Sequence, residues 1–206
     1  GTSTINGTPI NELTISLSEG WNLVSGLHED ISIYSINDPG STIVPNTLFG
    51  FSDAYFLTEE LVPGKGYWLR AFEDGEVTFT SGVSARITLQ DYSLNGKANT
   101  LTINGMDLYF GVEMLAREIL SYSLPPKPPS GAFDVRFKGD TRIATDKAEI
   151  EVMNSYETLT ISYDVVLDAG EHLSWVLTSG TGKDYDLEGS GEITIPTEET
   201  FTLERK

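Results

Sequence analysis

Short runs in which apolar and polar residues alternate, each closed by a turn signal, recur along nearly the whole chain. Leu13-Thr14-Ile15-Ser16-Leu17 alternates cleanly, and Ser18-Glu19-Gly20 turns the chain into Trp21-Asn22-Leu23-Val24-Ser25. Trp21 shares a face with Leu23, which assigns it to the core. In the next strand Ile31, Ile33 and Ser35 oppose Ser32, Tyr34 and Ile36, and Asn37-Asp38-Pro39-Gly40 ends it. Leu48-Phe49-Gly50-Phe51 and Ala54-Tyr55-Phe56-Leu57 read as short aromatic strands. Pro63-Gly64-Lys65-Gly66 is a tight turn feeding Tyr67-Trp68-Leu69-Arg70-Ala71, and Glu76-Val77-Thr78-Phe79-Thr80 closes this series.

Ser81-Gly82-Val83-Ser84 is small and flexible, follows a finished strand, and marks a domain boundary. Beyond it, Asn95-Gly96 and Asn104-Gly105 separate alternating runs. Asn-Gly favours hairpins because both turn positions need positive φ, so 85–94, 97–103 and 106–110 are predicted as three antiparallel strands. Val112 to Ile119 is helical in composition but short and uncapped, which predicts a loop or a single turn. Further strands are predicted at 132–138, 148–153, 159–166, 172–178, 191–195 and 201–204. Their inward sets include Ile150 with Val152, Leu159 with Ile161 and Tyr163, Leu173 with Trp175 and Leu177, and Ile193 with Ile195.

Leu124-Pro125-Pro126-Lys127-Pro128-Pro129 has the composition of a stiff linker. It is flanked by strand patterns on both sides: Leu108 and Phe110 before it, and Phe133, Val135 and Phe137 after it, alternating with Asp134, Arg136 and Lys138. The prolines therefore read as a rigid crossover inside one domain, followed by a half-buried strand. The fold class is all-β: residues 1–7 form an edge or linker, 8–82 a small β domain, and 83–206 an Ig-like antiparallel β-sandwich.

Composition narrows the partners. The chain has 206 residues and a net charge of −18. Residues 1–82 carry 2 basic against 11 acidic side chains, and 83–206 carry 11 against 20, so each part is −9. Such a surface repels phosphate backbones and anionic lipid, which argues against nucleic acid and membrane partners. There is no cysteine, hence no disulfide, thiol catalysis or Cys-ligated zinc. No apolar run is long enough for a membrane helix.

Catalysis has little support. His28 and His172 fall in different domains without a nucleophile motif beside them, and no metalloprotease, nucleophile-elbow or phosphate-loop pattern occurs. An acidic chain always offers carboxylate pairs for glycoside hydrolysis, and none is singled out here. No cofactor motif is present. Calcium is the one inorganic candidate, because Asp184, Asp186 and Glu188 at i, i+2, i+4 share one face of a strand. The plainer reading of these three is a solvated acidic hairpin. A glycan site is the other candidate: Trp68 and Arg70 share a face opposite Leu69, and with Tyr67 they offer a stacking platform beside a cation.

Gly20-Trp21-Asn22-Leu23-Val24-Ser25 together with Pro63-Gly64-Lys65-Gly66-Tyr67-Trp68-Leu69 resembles a module of bacterial surface proteins. Leu108–Gly111, the proline run, Phe133–Phe137 and Leu173–Leu177 resemble the Ig-like sandwich that precedes the type IX secretion sorting domain in Bacteroidetes and related bacteria. The likeness covers most of the chain, but no sorting domain follows within it. It implies a monomeric, non-catalytic extracellular or cell-surface module whose partners are other domains of the same parent chain, acting as spacer, adhesion or presentation unit. The alternative function is a carbohydrate-binding module accessory to a polysaccharide-degrading enzyme, with polysaccharide as partner. A carboxylate-pair glycoside hydrolase is the third reading.

Overall fold

The computed structural model of the chain describes residues 7–82, 94, 98–153, 156–166 and 174–206. The predicted strand at 85–94, the Asn95-Gly96 turn, His172 and Leu173 lie outside the described residues, apart from Leu94. The chain divides into two compact units: Gly1–Phe51 with Phe56–Asp91, and Ser52–Tyr55 with Tyr92–Lys206.

The strands of the first unit, with one strand starting at Tyr55 on its boundary, follow the alternating runs. They are β1 Glu12–Leu17, β2 Gly20–Ser25, β3 Ile31–Ser32, β4 Phe49–Phe51, β5 Tyr55–Leu57, β6 Glu60–Leu61, β7 Gly66–Ala71 and β8 Gly75–Thr80. A four-stranded sheet has the order β2-β7-β4-β5, and the pairs β1-β8 and β3-β6 stand apart from it. The predicted strand through Ile36 is cut short, because Ile33–Ser35 winds into a 3₁₀ turn in which the Ser32 hydroxyl accepts from the Tyr34 amide. Leu17, Val24, Ile31, Ile33, Leu61, Tyr67, Leu69, Val77 and Phe79 belong to one core. Asp38 organises the loop that follows it: its two carboxylate oxygens accept from the Thr42 and Ile43 amides at 2.9 and 2.8 Å.

The second unit contains β9 Asn99–Ile103, β10 Met106–Phe110, β11 Asp134–Phe137, β12 Ile143–Ala144, β13 Ala148–Met153, β14 Thr158–Asp164, β15 Trp175–Ser179, β16 Asp184–Leu187, β17 Ser190–Pro196 and β18 Thr200–Arg205. They form two five-stranded sheets, β12-β10-β9-β14-β17 and β11-β13-β18-β15-β16. Every pairing is antiparallel except the two-residue β10-β12 contact. Leu101, Ile103, Leu108, Phe110, Leu159 and Ile161 from one sheet and Val135, Phe137, Ile150, Trp175, Leu177 and Leu203 from the other share a single core, which makes the unit a β-sandwich. The Asn104-Gly105 hairpin joins β9 to β10 with φ of 45° and 86° at its two central residues. Between Gly111 and the prolines the chain makes only the short helix α1, Ala116–Ile119, and one 3₁₀ turn.

Leu108 and Phe110 before the proline run share this core with Phe133, Val135 and Phe137 after it. The prolines are thus internal to the sandwich. One expectation about β11 is overturned. Asp134 and Arg136, assigned by alternation to solvent, are 1 % and 0 % exposed. The reason is that buried Ser121–Leu124 lies over that side: the Leu124 amide donates to the Asp140 carbonyl at 2.8 Å, and Ser123 bridges Thr141. The strand is therefore covered on both faces.

Candidate functional site

The aromatic candidates lie on the four-stranded sheet of the first unit. In β7 the residues Tyr67, Leu69 and Ala71 point into the core, while Trp68 and Arg70 point away from it and are half-buried. Tyr67 is therefore removed from the glycan platform. It is 3 % exposed, and its hydroxyl accepts from the Val62 amide at 3.0 Å, so its ring packs inside and its polar end is used by the backbone.

The outward face gains other members. β2 pairs with β7 so that Leu23 is opposite Trp68 and Trp21 opposite Arg70, and on the other side Phe49 of β4 is opposite Trp68. Cross-strand partners share a face, so Trp21 and Leu23 are on the outer side and not in the core. Leu23 is 69 % exposed. The inner positions of β2 go to Val24 and Asn22. Asn22 is tolerated there because its amide holds the preceding turn, donating to the Ser18 and Gly20 carbonyls and accepting from the Ser18 amide. In the sequence, Trp21-Asn22-Leu23-Val24 places apolar residues on both faces. Only the register with β7, more than forty residues away, decides between them.

Trp21 meets Phe49 edge-on at 5.9 Å between ring centroids, and the Arg70 guanidinium carbon is 5.6 Å from the Trp21 ring centre. Among the described residues the Arg70 guanidinium forms no ion pair, and its Nε is buried without a hydrogen-bond partner. Burial lowers its pKa, and the Glu19 charge works in the opposite direction. The result is an aromatic and aliphatic patch with a cation whose donors are incompletely used.

The acidic candidates behave differently. Asp184 and Asp186 do alternate with Tyr185 on β16, as the spacing predicts. Asp184 accepts from the Thr178 hydroxyl at 2.7 Å, and Asp186 is paired with Lys206 Nζ at 2.7 Å. Both side chains are engaged separately at exposed positions, and no group of three acidic or histidine side chains among the described residues is placed to hold a metal ion. His28 Nδ1–H donates to the Ile10 carbonyl at 3.0 Å, and its Nε2 is 3.6 Å from Glu29. An open groove of about 420 Å³ in the second unit is lined by Lys127, Glu151, Met153, Glu199 and Thr200 among others, and Lys127 pairs with Glu151 at 2.7 Å.

Sequence reasoning did not find the most enclosed polar cluster. Arg136 donates through Nε and Nη2 to both oxygens of Asp134 at 2.5 and 2.9 Å, and through Nη1 to Asp140 Oδ1 and the Pro125 carbonyl, each at 2.8 Å. Burial alone would lower the Arg136 pKa; hydrogen bonds and charge from Asp134 and then Asp140 outweigh it and raise it. This fork secures the first proline of the crossover to the sheet. No helix among the described residues is long and apolar enough to cross a membrane. No protein-family model matches the chain, and no curated protein or solved structure matches it.

Proposed function

We propose that the chain is a non-catalytic module of a larger extracellular or cell-surface protein, serving as a load-bearing spacer that presents a neighbouring domain. The likeness of its motifs to modules preceding a type IX sorting domain motivates this reading. The single observation that carries it is topological. In the second unit the first and last described strands, β9 and β18, each occupy the centre of a five-stranded sheet. β18 is paired with β13 on one side and β15 on the other, along most of its length. Ladder hydrogen bonds run perpendicular to the strands, so tension along β18 loads two ladders together. The Arg136 fork adds a further fixed point at the crossover.

The first unit is built in the opposite way. Its first described strand pairs with its last, and Glu12 at the start of β1 faces Thr80 at the end of β8. Tension across that pair separates one hydrogen bond at a time. Held between handles and pulled at its two ends in a single-molecule instrument, the chain is expected to open in two events, with the first unit yielding at the lower force. A second unit that opened at a force no higher than the first would overturn the load-bearing reading. Turnover of a polysaccharide or peptide by the chain would overturn the non-catalytic one.

A further inference from the structure

The side chains on the outward face of β2, β7 and β4 are not members of the first unit's core cluster. Leu17, Val24, Ile31, Leu61, Tyr67, Leu69, Val77 and Phe79 supply that core from the opposite side. Yet the outer face collects the half-buried Trp21, Trp68 and Arg70 and the exposed Leu23 around a buried Phe49, across three adjacent strands. Three strands span about 10 Å. Large apolar side chains gathered on an outward face, with one cation among them, mark a binding surface more often than a solvated one.

Two features select the occupant. The Arg70 guanidinium is held beside the Trp21 ring, so little freedom is lost when it donates to a ligand. It also lacks an ion pair among the described residues, although 11 acidic side chains lie within residues 1–82. The ligand therefore needs flat apolar faces for Trp21 and Trp68 and oxygen acceptors at their edge for Arg70. A pyranose ring offers both. The charge of −9 on residues 1–82 repels a polyanion, so the sugar is uncharged. The width across three strands suits a chain of linked sugars over a single one.

We propose that Trp21, Leu23, Trp68 and Arg70 form a binding face for a neutral polysaccharide. The proposal rests on the reading of the chain as an extracellular module and names what its adhesive surface would hold. The pulling experiment does not probe this face, so the two fail separately.

The test is titration calorimetry of the whole 206-residue chain with soluble xyloglucan, galactomannan, hydroxyethyl cellulose and polygalacturonate. At least one neutral polymer is expected to bind and to perturb the fluorescence of Trp21 and Trp68. Trp68→Ala and Arg70→Ala should each weaken binding by about tenfold or more. Leu23→Glu changes an exposed side chain and adds charge to the face; it should abolish binding while leaving the melting temperature unchanged. Tyr67→Phe, on the inner side, should bind like the parent chain. Absence of binding to all three neutral polymers, binding confined to polygalacturonate, or full binding by a folded Leu23→Glu or Arg70→Ala chain would each overturn the proposal.

Discussion

Arg136 follows Val135 in a run whose alternation sends it to solvent, yet its side chain is fully enclosed. Enclosure works because four of the five N–H donors meet acceptors: two oxygens of Asp134, one of Asp140 and the Pro125 carbonyl. A charge buried with its partners is tolerated, while one stripped of them is costly. Arg136→Met leaves the Asp134 carboxylate buried and uncompensated, and should lower the unfolding free energy of the second unit by about 3–5 kcal/mol in urea titrations. Arg136→Lys should recover little, since one ammonium cannot meet both Asp134 oxygens and the proline carbonyl. Asp134→Leu combined with Arg136→Met should recover most of the loss, because no lone charge remains. Tyr109 gives a residue-scale pH effect. Burial raises its pKa, Asp107 adds to the rise, and Arg142 acts against it. A phenol that ionises later in the folded chain contributes stability below pH about 10 that is lost as pH rises through its folded pKa. In a tyrosinate absorbance titration Tyr109, read from the difference against Tyr109→Phe, should ionise above the ordinary tyrosine value of about 10.

At the scale of elements, alternation carried most of the information. β1, β2, β7, β8, β13 and β18 lie within a residue or so of where the apolar pattern puts them. Asn104-Gly105 marks its hairpin because positive φ at both positions suits these two residues. What alternation does not carry is which face is inner when both are apolar, as in β2, or whether an outer face is covered again, as in β11. Both depend on partners distant in sequence: Arg70 for Trp21, and Asp140 for Leu124. The short strands β6 and β12 have no pattern of their own; each is two residues long and exists through its neighbour. Strand position within the sheet also sets local stability. The amides of β18, paired on both sides, should exchange with solvent more slowly than those of β16, which is paired to β15 alone among the described residues. Hydrogen exchange followed by mass spectrometry checks this order. Faster exchange in β18 than in β16 would contradict the sheet order.

For the whole molecule, charge and topology act on different properties. The net charge of −18 bears on solubility and on which partners are repelled, without choosing a fold. Among the described strands, topology separates a first unit whose first and last strands face each other from a second whose first and last strands are central, and the expected order of opening under force follows from that difference. The ion pairs Lys138–Glu149, Lys147–Glu204 and Lys206–Asp186 of the second unit are exposed and contribute little to its stability.

By itself the sequence determined the all-β class, the position of most strands and the Asn-Gly hairpin. These follow from side-chain periodicity and backbone preference, which act over a few residues. It also determined that Trp68 and Arg70 leave the core together, because a strand admits only two faces. The tertiary structure alone decided that Trp21 and Leu23 join them, that Tyr67 does not, that Asp184 and Asp186 are engaged apart, and that Arg136 is enclosed. Trp21 and Leu23 depend on register with β7, more than forty residues on, whereas Asp184 with Thr178 and Arg136 with Asp134 are only six and two residues apart. In both cases strand register and layer packing bring the partners together, and side-chain periodicity does not encode them.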